Sequence, residues 1–491
     1  DGGDGGAGGQ GGGAVLPPVV SLESPTPNEV FIDLQPELRG RVTDAADNVD
    51  VRLIVDGAEP GEPLDLDDAG RFERRVTLDV GLHTLTVVAL QGEVRGEASV
   101  TVRKDTFVRV SQGDLLWGEQ GFTVVGLHAP DLLTKAHTFL ANGGQDRVAE
   151  LMRDARALGA NVVRTRAYDD RPAEASALQI DRGMYNEVGL VALDHVIAKA
   201  GEQGIKLILP LIGPDDFGGI NQYLVWAGYL APIPDDRRRF FQAGEIREHF
   251  KTHLRTLVDR RNTITGRRYR EDPTILAWEI LDQPDLMGVF ADNSGALLTE
   301  FYQDVSIALK EAAPNQLVAT GDVGYDINPT PYQQHADALR QARLDWLLDG
   351  SRGVAWRRNH QLPSIDLATI HLGAELLGFP NDAIQMSNLG AAWIRGHATL
   401  ASLENKPLVV LRARVSEAGG LMLPQRRAAM QAWADEVVGQ ELGGMVFGDV
   451  YPDGNEGNPA GWSYREGTDP SDPINVFADI VVGLVQRLAR R

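Results

Sequence analysis

The chain has 491 residues, of which 43% are hydrophobic and 24% charged, and its net charge is −22. Such a composition is typical of a globular protein, and the acidic surplus argues against nucleic acid and anionic membrane surfaces, which select basic patches. The chain has no cysteine, which excludes disulfides, thiolate metal sites and a cysteine nucleophile.

The first fourteen residues are mostly glycine and cannot bury a core, so residues 1–14 are predicted to be a flexible linker. A glycine tether resembles the spacer behind a bacterial lipoprotein anchor, with the lipid attached upstream of residue 1. The alternative is a plain disordered terminus. We therefore expect an extracellular or bacterial cell-surface protein, bound to a membrane only through such an anchor.

Residues 15–104 predict a small all-β domain. Short segments alternate apolar and polar residues, most clearly in VDVRLIV at 49–55, and turns such as Asp56-Gly57 separate them. This spacing is typical of an antiparallel sandwich. The segment 68–90 resembles bacterial immunoglobulin-like modules, which implies a spacer or docking role. The predicted strands are 19–22, 37–43, 49–56, 71–79, 83–90 and 97–102.

From residue 105 to 491, predicted strands alternate with predicted helices, after a small hairpin. Eight such β/α units predict an α/β protein with a (β/α)₈ TIM barrel. The predicted strands are 123–128, 161–166, 206–212, 275–281, 317–320, 367–372, 408–411 and 445–450. The predicted helices are 146–158, 190–203, 246–261, 297–313, 389–402, 426–439 and 473–490.

The fourth strand carries the most informative pattern. In YREDPTILAWEILDQPDL (269–286), a continuous apolar run ends abruptly at Glu279, Asp282, Gln283 and Asp285. An unbroken apolar run predicts a strand buried on both faces, and polar groups at its C-terminal end lie where α/β barrels build active sites. The alternative is a core strand that leaves the barrel through a polar turn.

This stretch resembles the endo-β-1,4-mannanases of glycoside hydrolase family 5, whose fourth strand carries D-D-P-T-I-L-A-W-E-L-x-N-E-P. Further matches follow in chain order at 158–165, 204–223, 261–266, 365–371, 406–410 and 467–469. The resemblance implies a retaining glycosidase, in which one carboxyl protonates the leaving oxygen and a second, about 5–5.5 Å away, attacks the anomeric carbon.

Both catalytic glutamates implied by the resemblance are replaced. The acid/base position is Gln283, whose amide cannot protonate a leaving alkoxide, and the nucleophile position is Arg412, which has no acceptor atom. Glu417, in Glu417-Ala418-Gly419, faintly resembles the nucleophile signature five residues later. It is an alternative nucleophile, although an odd offset turns it to the other face of a continuous strand.

Of the other pocket positions that the resemblance implies, some carry the expected residue and others do not. Arg164 and His371 are kept, with the alternative that Arg164 merely pairs with Glu279. Asp282 and Asp285 are candidate substitute acids. No spacing supports a metal site and no phosphate loop appears, so neither metal nor cofactor is expected. The predicted pocket residues are Arg164, Arg166, Glu279, Asp282, His371, Phe447, Asp449 and Trp462.

The sequence thus predicts a mannanase-like pseudo-glycosidase that binds a polysaccharide, either mannan or an acidic one, or another surface protein. An active endo-β-1,4-mannanase with relocated carboxylates and a purely structural surface protein are the alternatives. A buried guanidinium must be paired, so we expect Arg412 to pair with Asp282, Glu279 or Asp449. If Arg412 is fully paired by them, a salt bridge closes the centre and the barrel is a scaffold. If Arg412, Arg414 and Arg166 instead point into open space, a uronate-containing ligand is favoured.

Overall fold

The structure is a computed structural model that describes residues 16–45, 48–213, 217–286, 293–327, 330–415, 422–451, 462–463 and 483. The chain divides into two compact units, Asp1–Thr106 and Phe107–Arg491. No helix in the described ranges is long and apolar enough to cross a bilayer.

The N-terminal unit contains two β-sheets. One sheet consists of Val19–Ser24, Glu37–Thr43 and Arg71–Arg75, and the other, in spatial order, of Val30–Ile32, Val94–Asp105, Gly81–Gln91 and Asp50–Val55. Each of the six predicted strands overlaps an observed one. Alternation explains the core, since Leu38, Gly40 and Val42 are buried while their neighbours are partly or fully exposed. The strand Val30–Ile32 was not predicted, and it pairs in parallel with Val94–Asp105.

Eight parallel strands form a nearly closed barrel in the second unit, as predicted for a (β/α)₈ TIM barrel. In spatial order they run fifth, fourth, third, second, first, eighth, seventh and sixth, and a parallel bridge between Ala319 and Leu367 links the fifth strand to the chain entering the sixth. The first to eighth strands are Val124–His128, Val162–Arg164, Lys206–Pro210, Ile275–Glu279, Leu317–Ala319, Ala368–Gly373, Leu408–Arg414 and Gly444–Gly448.

Two apolar layers hold the barrel together. One layer fills its interior and includes Val162, Ile208 and Val409; the other joins the strands to the helices through the alternate residues, such as Val163 and Val410. Gly126 permits a close approach inside the barrel, because a Cβ there would lie 2.7 Å from Val446 Cγ2. Polar side chains are therefore concentrated at the ends of the strands rather than in the interior.

The helices surround the barrel, and several start on well-defined caps. Asp146 accepts a hydrogen bond from the Ala149 amide at the start of one helix, and left-handed Gly204 ends another. The helices are Leu132–Asn142, Arg147–Ala157, Glu187–Gln203, Gly219–Trp226, Arg237–Gln242, Gly244–Asp259, Ala296–Ala312, Gln333–Gln341, Trp356–His360, Ala383–Leu403 and Leu423–Gly439.

Short strands complete the barrel unit. The expected initial hairpin comprises Val108–Ser111, Asp114–Trp117 and Gln120–Gly121; a second hairpin, Gln179–Asp181 with Met184–Tyr185, follows the second barrel strand. The eighth barrel strand ends at Gly448, earlier than predicted, and Val450–Tyr451 pairs separately with Trp462–Ser463. The predicted last helix, 473–490, lies outside the described residues.

Candidate functional site

The two positions that the mannanase resemblance assigns to catalytic carboxylates share an unusual backbone conformation. Gln283 follows the fourth strand with φ 56°, and Arg412 lies in the seventh strand with φ 48°. Left-handed φ is uncommon for residues other than glycine and costs energy that surrounding structure must offset. At Arg412 the strand also carries a register irregularity, between Val410 and Ala413. The chain thus retains strained backbone at both positions, although neither residue is a carboxylate.

Arg164, at the end of the second strand, is fully buried and organises one half of the site. Its Nε donates to Glu279 Oε2 at 2.8 Å, and its Nη2 donates to Glu279 Oε1 at 2.5 Å and to Asp282 Oδ1 at 2.7 Å. The alternative that Arg164 pairs with Glu279 is therefore confirmed. Asp282, a predicted pocket residue, reaches the same guanidinium with a side chain 13% exposed.

Arg412 and Asp449 form the other half. Arg412 Nε and Nη2 donate to the two carboxylate oxygens of Asp449 at 2.7 and 2.9 Å, and Arg414 Nη1 lies 3.3 Å from Oδ2. Asp449 is 1% exposed, whereas both arginine side chains are 20% exposed. The expected pairing of Arg412 is thus present, with Asp449 as its partner.

Two buried histidines lie between these halves. His128, at the end of the first strand, has its Nε2 3.6 Å from Asp449 Oδ1 and its Nδ1 3.1 Å from the carbonyl oxygen of Arg164. His371, in the sixth strand, lies close to Glu279 and Asp282, and neither of its ring nitrogens has a hydrogen-bond partner in the described part of the chain. His128 was not among the predicted site residues, although a polar residue at the end of an apolar strand was the available signal.

The charges explain how the site titrates. Burial lowers the pKa of both His128 and His371 well below the usual value, and the Arg164 charge lowers both further, so both imidazoles are neutral. Burial opposes ionisation of Asp282 and Asp449, but Arg164 and Arg412 respectively outweigh it and hold both pKa values low. Burial raises the pKa of Glu279 to about 7, against the opposing pull of Arg164.

Glu279, Asp282 and His371 are the one group in the described ranges that resembles a metal site, since their ligand atoms all lie within 4.8 Å of one another. However, three of the four carboxylate oxygens in this group already accept hydrogen bonds from Arg164. A divalent cation would meet a guanidinium at short range, so the arginine takes the place that a metal would need. The donor set does not fit a resident metal.

Several predicted residues lie elsewhere or are not described. Arg166 leaves the polar cluster, donates from Nε to the Pro130 carbonyl at 2.6 Å and packs on the Phe217 ring. Phe447 is buried in the apolar layer shared with the helices, so the prediction that it lines the pocket is corrected: its strand position faces outward. Glu417 lies outside the described residues, and for Trp462 the structure describes only the backbone strand.

This arrangement limits the chemistry available. Glu279, the group with a pKa near neutrality, is fully buried with both oxygens bound to Arg164. Asp282 is ionised and bound to the same arginine. Asp449 is ionised and hydrogen-bonded to two arginines, Arg412 and Arg414. No carboxylate among these three is placed as a free proton donor, and of their oxygens only Asp282 Oδ2 accepts no hydrogen bond from a guanidinium in the described residues.

Comparison with known proteins places the barrel among glycoside hydrolases. A family model described as glycoside hydrolase family 5 β-mannosidase-like matches residues 105–413. A putative mannan endo-1,4-β-mannosidase 4 of Arabidopsis thaliana is 28% identical over 341 residues, which are 68% of this chain and 81% of that protein. Mannan endo-1,4-β-mannosidase 2 of Oryza sativa subsp. japonica is 33% identical over 275 residues, 54% of this chain and 58% of the relative.

Solved structures agree with the fold. The endo-β-1,4-mannanase from Thermotoga petrophila superposes with a TM-score of 0.62 at 26% identity, covering 74% of this chain and 76% of that one. The endo-1,4-β-mannanase from Rhizomucor miehei gives a TM-score of 0.64 at 24% identity, covering 77% of this chain and 99% of the other, which supports the fold alone.

Proposed function

The chain belongs to the β-mannosidase-like proteins of glycoside hydrolase family 5, and from that premise we propose that it is a non-hydrolysing member that binds a polysaccharide at the C-terminal face of its barrel. The relatives are mannan endo-1,4-β-mannosidases, which supports a polysaccharide as the ligand class. The fold supplies a binding face, whereas the residues at its centre differ from those that hydrolysis needs.

One observation carries this proposal: Arg412 stands at the position assigned to the nucleophile and is bound through two nitrogens to Asp449. A guanidinium is cationic at all relevant pH values and has no lone pair with which to attack an anomeric carbon. Gln283 at the acid/base position removes the second function. Without these two groups, the site would bind and orient a sugar chain but not cleave it.

A hydrolysis assay tests the proposal. Purified protein should release no reducing sugar from mannan, glucan or xylan above a blank without protein. Asp282→Ala, Asp285→Ala and Glu417→Ala are prepared in parallel to locate any residual activity. Turnover that survives the two aspartate changes and disappears with Glu417→Ala would contradict the proposal and favour an endo-mannanase with a relocated nucleophile.

A gain-of-function variant sharpens the test. Gln283→Glu combined with Arg412→Glu returns carboxyls to backbone positions that keep their left-handed φ. If the groove still holds a mannan chain, we expect this double variant to hydrolyse mannan measurably while wild type does not, with Gln283→Glu alone as the matched control. Wild-type turnover equal to that of the double variant would overturn the proposal.

We further propose that the N-terminal unit is an immunoglobulin-like spacer of an extracellular or cell-surface protein. Its two sheets carry a small apolar core and the glycine-rich residues 1–14 precede it. The proposed role predicts that the barrel unit alone binds the polysaccharide as tightly as the whole chain. Detection of the native protein in washed cells by protease shaving checks the location, since an internal protein would be protected.

A further inference from the structure

Two arginines at the end of the seventh barrel strand share one carboxylate as their hydrogen-bond acceptor. We call Arg412 and Arg414 the arginine pair. Both guanidinium groups hydrogen-bond to Asp449, and His128, which also lies against Asp449, is neutral because burial lowers its pKa. Asp282 lies near enough to Arg412, and Glu375 to Arg414, to act on their charges, so what the pair offers is hydrogen-bond donors.

The arginine pair is also accessible. Asp449 is 1% exposed, but each arginine side chain keeps 20% of its surface exposed. A guanidinium has five N–H donors in a planar fork, and the pair uses three nitrogens on Asp449. Donors therefore remain for a second planar anion.

Arg166, the third arginine of the predicted pocket, does not join the pair. It follows the second strand, is 3% exposed, and is held by the Pro130 carbonyl and the Phe217 ring. Burial lowers the pKa of Arg166, and burial together with Arg412 lowers the pKa of Arg414, whereas in Arg412 Asp449 outweighs burial and raises the pKa. The candidate anion site is therefore confined to the arginine pair.

We propose that the arginine pair is a seat for the carboxylate of a hexuronate residue, so that the site takes an acidic polysaccharide in preference to neutral mannan. A carboxylate is planar and matches the fork of a guanidinium through two parallel hydrogen bonds. The protein as a whole has a net charge of −22 and repels a long anionic chain, so recognition depends on this local seat. The inference deepens the proposed polysaccharide-binding function and rests on it.

The experiment measures binding of short oligosaccharides to the whole chain by titration calorimetry. Trigalacturonate is compared with the same trisaccharide after reduction of its carboxyl groups, and with mannotriose. We expect trigalacturonate to bind at least about tenfold more tightly than either neutral sugar, since hydrogen bonds to charged groups contribute roughly 1.5–3 kcal/mol each. Equal affinity for trigalacturonate and its reduced form would overturn the inference.

Variants assign the effect to the pair. Arg414→Gln should weaken trigalacturonate binding at least about tenfold and mannotriose binding much less, and Arg414→Lys should recover part of the loss because it restores the charge without the fork. Arg153→Gln, at an exposed arginine on Arg147–Ala157, is the matched control and should bind as wild type. Near-ultraviolet circular dichroism verifies the fold of each variant.

The outcomes separate this inference from the proposed function. Unchanged trigalacturonate binding in folded Arg414→Gln contradicts the inference, as does preference for mannotriose, and in both cases polysaccharide binding stands. No binding to any oligosaccharide or polymer contradicts both. Hydrolysis of mannan by wild type contradicts the proposed function, while a carboxylate preference that depends on Arg414 would still assign the seat.

Discussion

Arg164 is a buried charge that is held by two carboxylates. The side chain is fully buried and donates three hydrogen bonds to two carboxylates. Substituting a buried charge is tolerated only if its charged partners are substituted too, because a partner left unpaired keeps its full desolvation cost. The cluster therefore resists single substitutions even if the protein hydrolyses nothing.

We expect Arg164→Met to lower the free energy of unfolding by about 3–5 kcal/mol, the usual result of breaking a buried ion pair. Urea unfolding followed by fluorescence measures it. Combining Arg164→Met with Glu279→Gln should cost less than the sum of the two single changes, because the charges are removed together. Arg153→Met on the surface is the control. A loss below about 1 kcal/mol for Arg164→Met would contradict the expectation.

Asp322 gives a prediction of pH dependence. Its carboxylate accepts hydrogen bonds from Tyr302 Oη at 2.7 Å and Asn359 Nδ2 at 2.8 Å, yet burial raises its pKa to about 7 from the ordinary 3.8. The folded chain thus holds a proton that the unfolded chain releases at lower pH. This contribution to stability is complete below about pH 4 and is lost as the pH rises through about 7.

We therefore expect Asp322→Asn to reduce the fall in unfolding midpoint between about pH 4 and pH 7, because the amide does not titrate. Glu279, whose pKa is also raised to about 7, still makes the unfolding midpoint fall over this pH range. Thermal unfolding at a series of pH values measures the change. Glu119→Gln, at a side chain that is 95% exposed, is the control and should keep the wild-type slope. An identical slope in Asp322→Asn would contradict the assignment.

The site could be predicted in part from the sequence. Glu279 was identified because it ends an apolar strand, and Arg164 and His371 were identified from the mannanase resemblance. Asp449 was one of three partners expected for Arg412 under the rule that a buried guanidinium needs a counter-charge. Asp282 was placed in the pocket, but its hydrogen bond to Arg164 was not foreseen. The sharing of Asp449 by two arginines could not be foreseen, since it depends on the irregular register of the seventh strand.

At the scale of elements, Gly321 follows the fifth strand and allows the chain to pass close to the end of the fourth strand. This residue has φ 78°, and a Cβ on it would lie 1.7 Å from the Leu281 carbonyl oxygen and 2.6 Å from Glu279 Oε1. Glycine therefore meets two requirements here, a left-handed backbone and a very close approach. The backbone N–H of Gln283 also donates to the Gly321 carbonyl at 3.3 Å. This hydrogen bond helps to hold the backbone at the acid/base position.

Gly321→Ala should destabilise the protein far more than Gly143→Ala. Gly143 also has a left-handed φ of 70°, but a Cβ there meets no atom within 4 Å. Gly143→Ala should thus show only the backbone cost, about 1–2 kcal/mol, and the difference between the variants isolates the clash. Denaturant unfolding of both checks this. Equal destabilisation would mean that the strand ends move apart freely.

Some helices and strands could be predicted from the local sequence pattern, and others could not. Long apolar runs such as Ile275–Glu279 and Lys206–Pro210 were predicted within two residues at each end, because full burial on both faces has a distinct signature. Helix Leu132–Asn142 and the strand Val30–Ile32 were missed. The helix has no capping side chain bond, and a three-residue strand is too short to show alternation.

At the scale of the whole molecule, the division between Thr106 and Phe107 predicts two separable folding units. We expect residues 107–491 expressed alone to keep the thermal transition that the barrel shows in the full chain. The full chain should then unfold in two steps by calorimetry, since each unit has its own core. A barrel fragment that fails to fold, or one cooperative transition for the full chain, would contradict this.

The ion cluster around Arg164 also bears on how fast the barrel forms. Arg164 and Glu279 are separated by 115 positions along the chain, and their strands are separated in space by the third strand. Contacts of such long range form late in folding, and charges desolvated before their partners arrive would raise the barrier. The cluster should therefore be absent from the folding transition state. Substitutions in it would accelerate unfolding and leave the refolding rate nearly unchanged, so that charges at one end of the barrel set the lifetime of the folded protein.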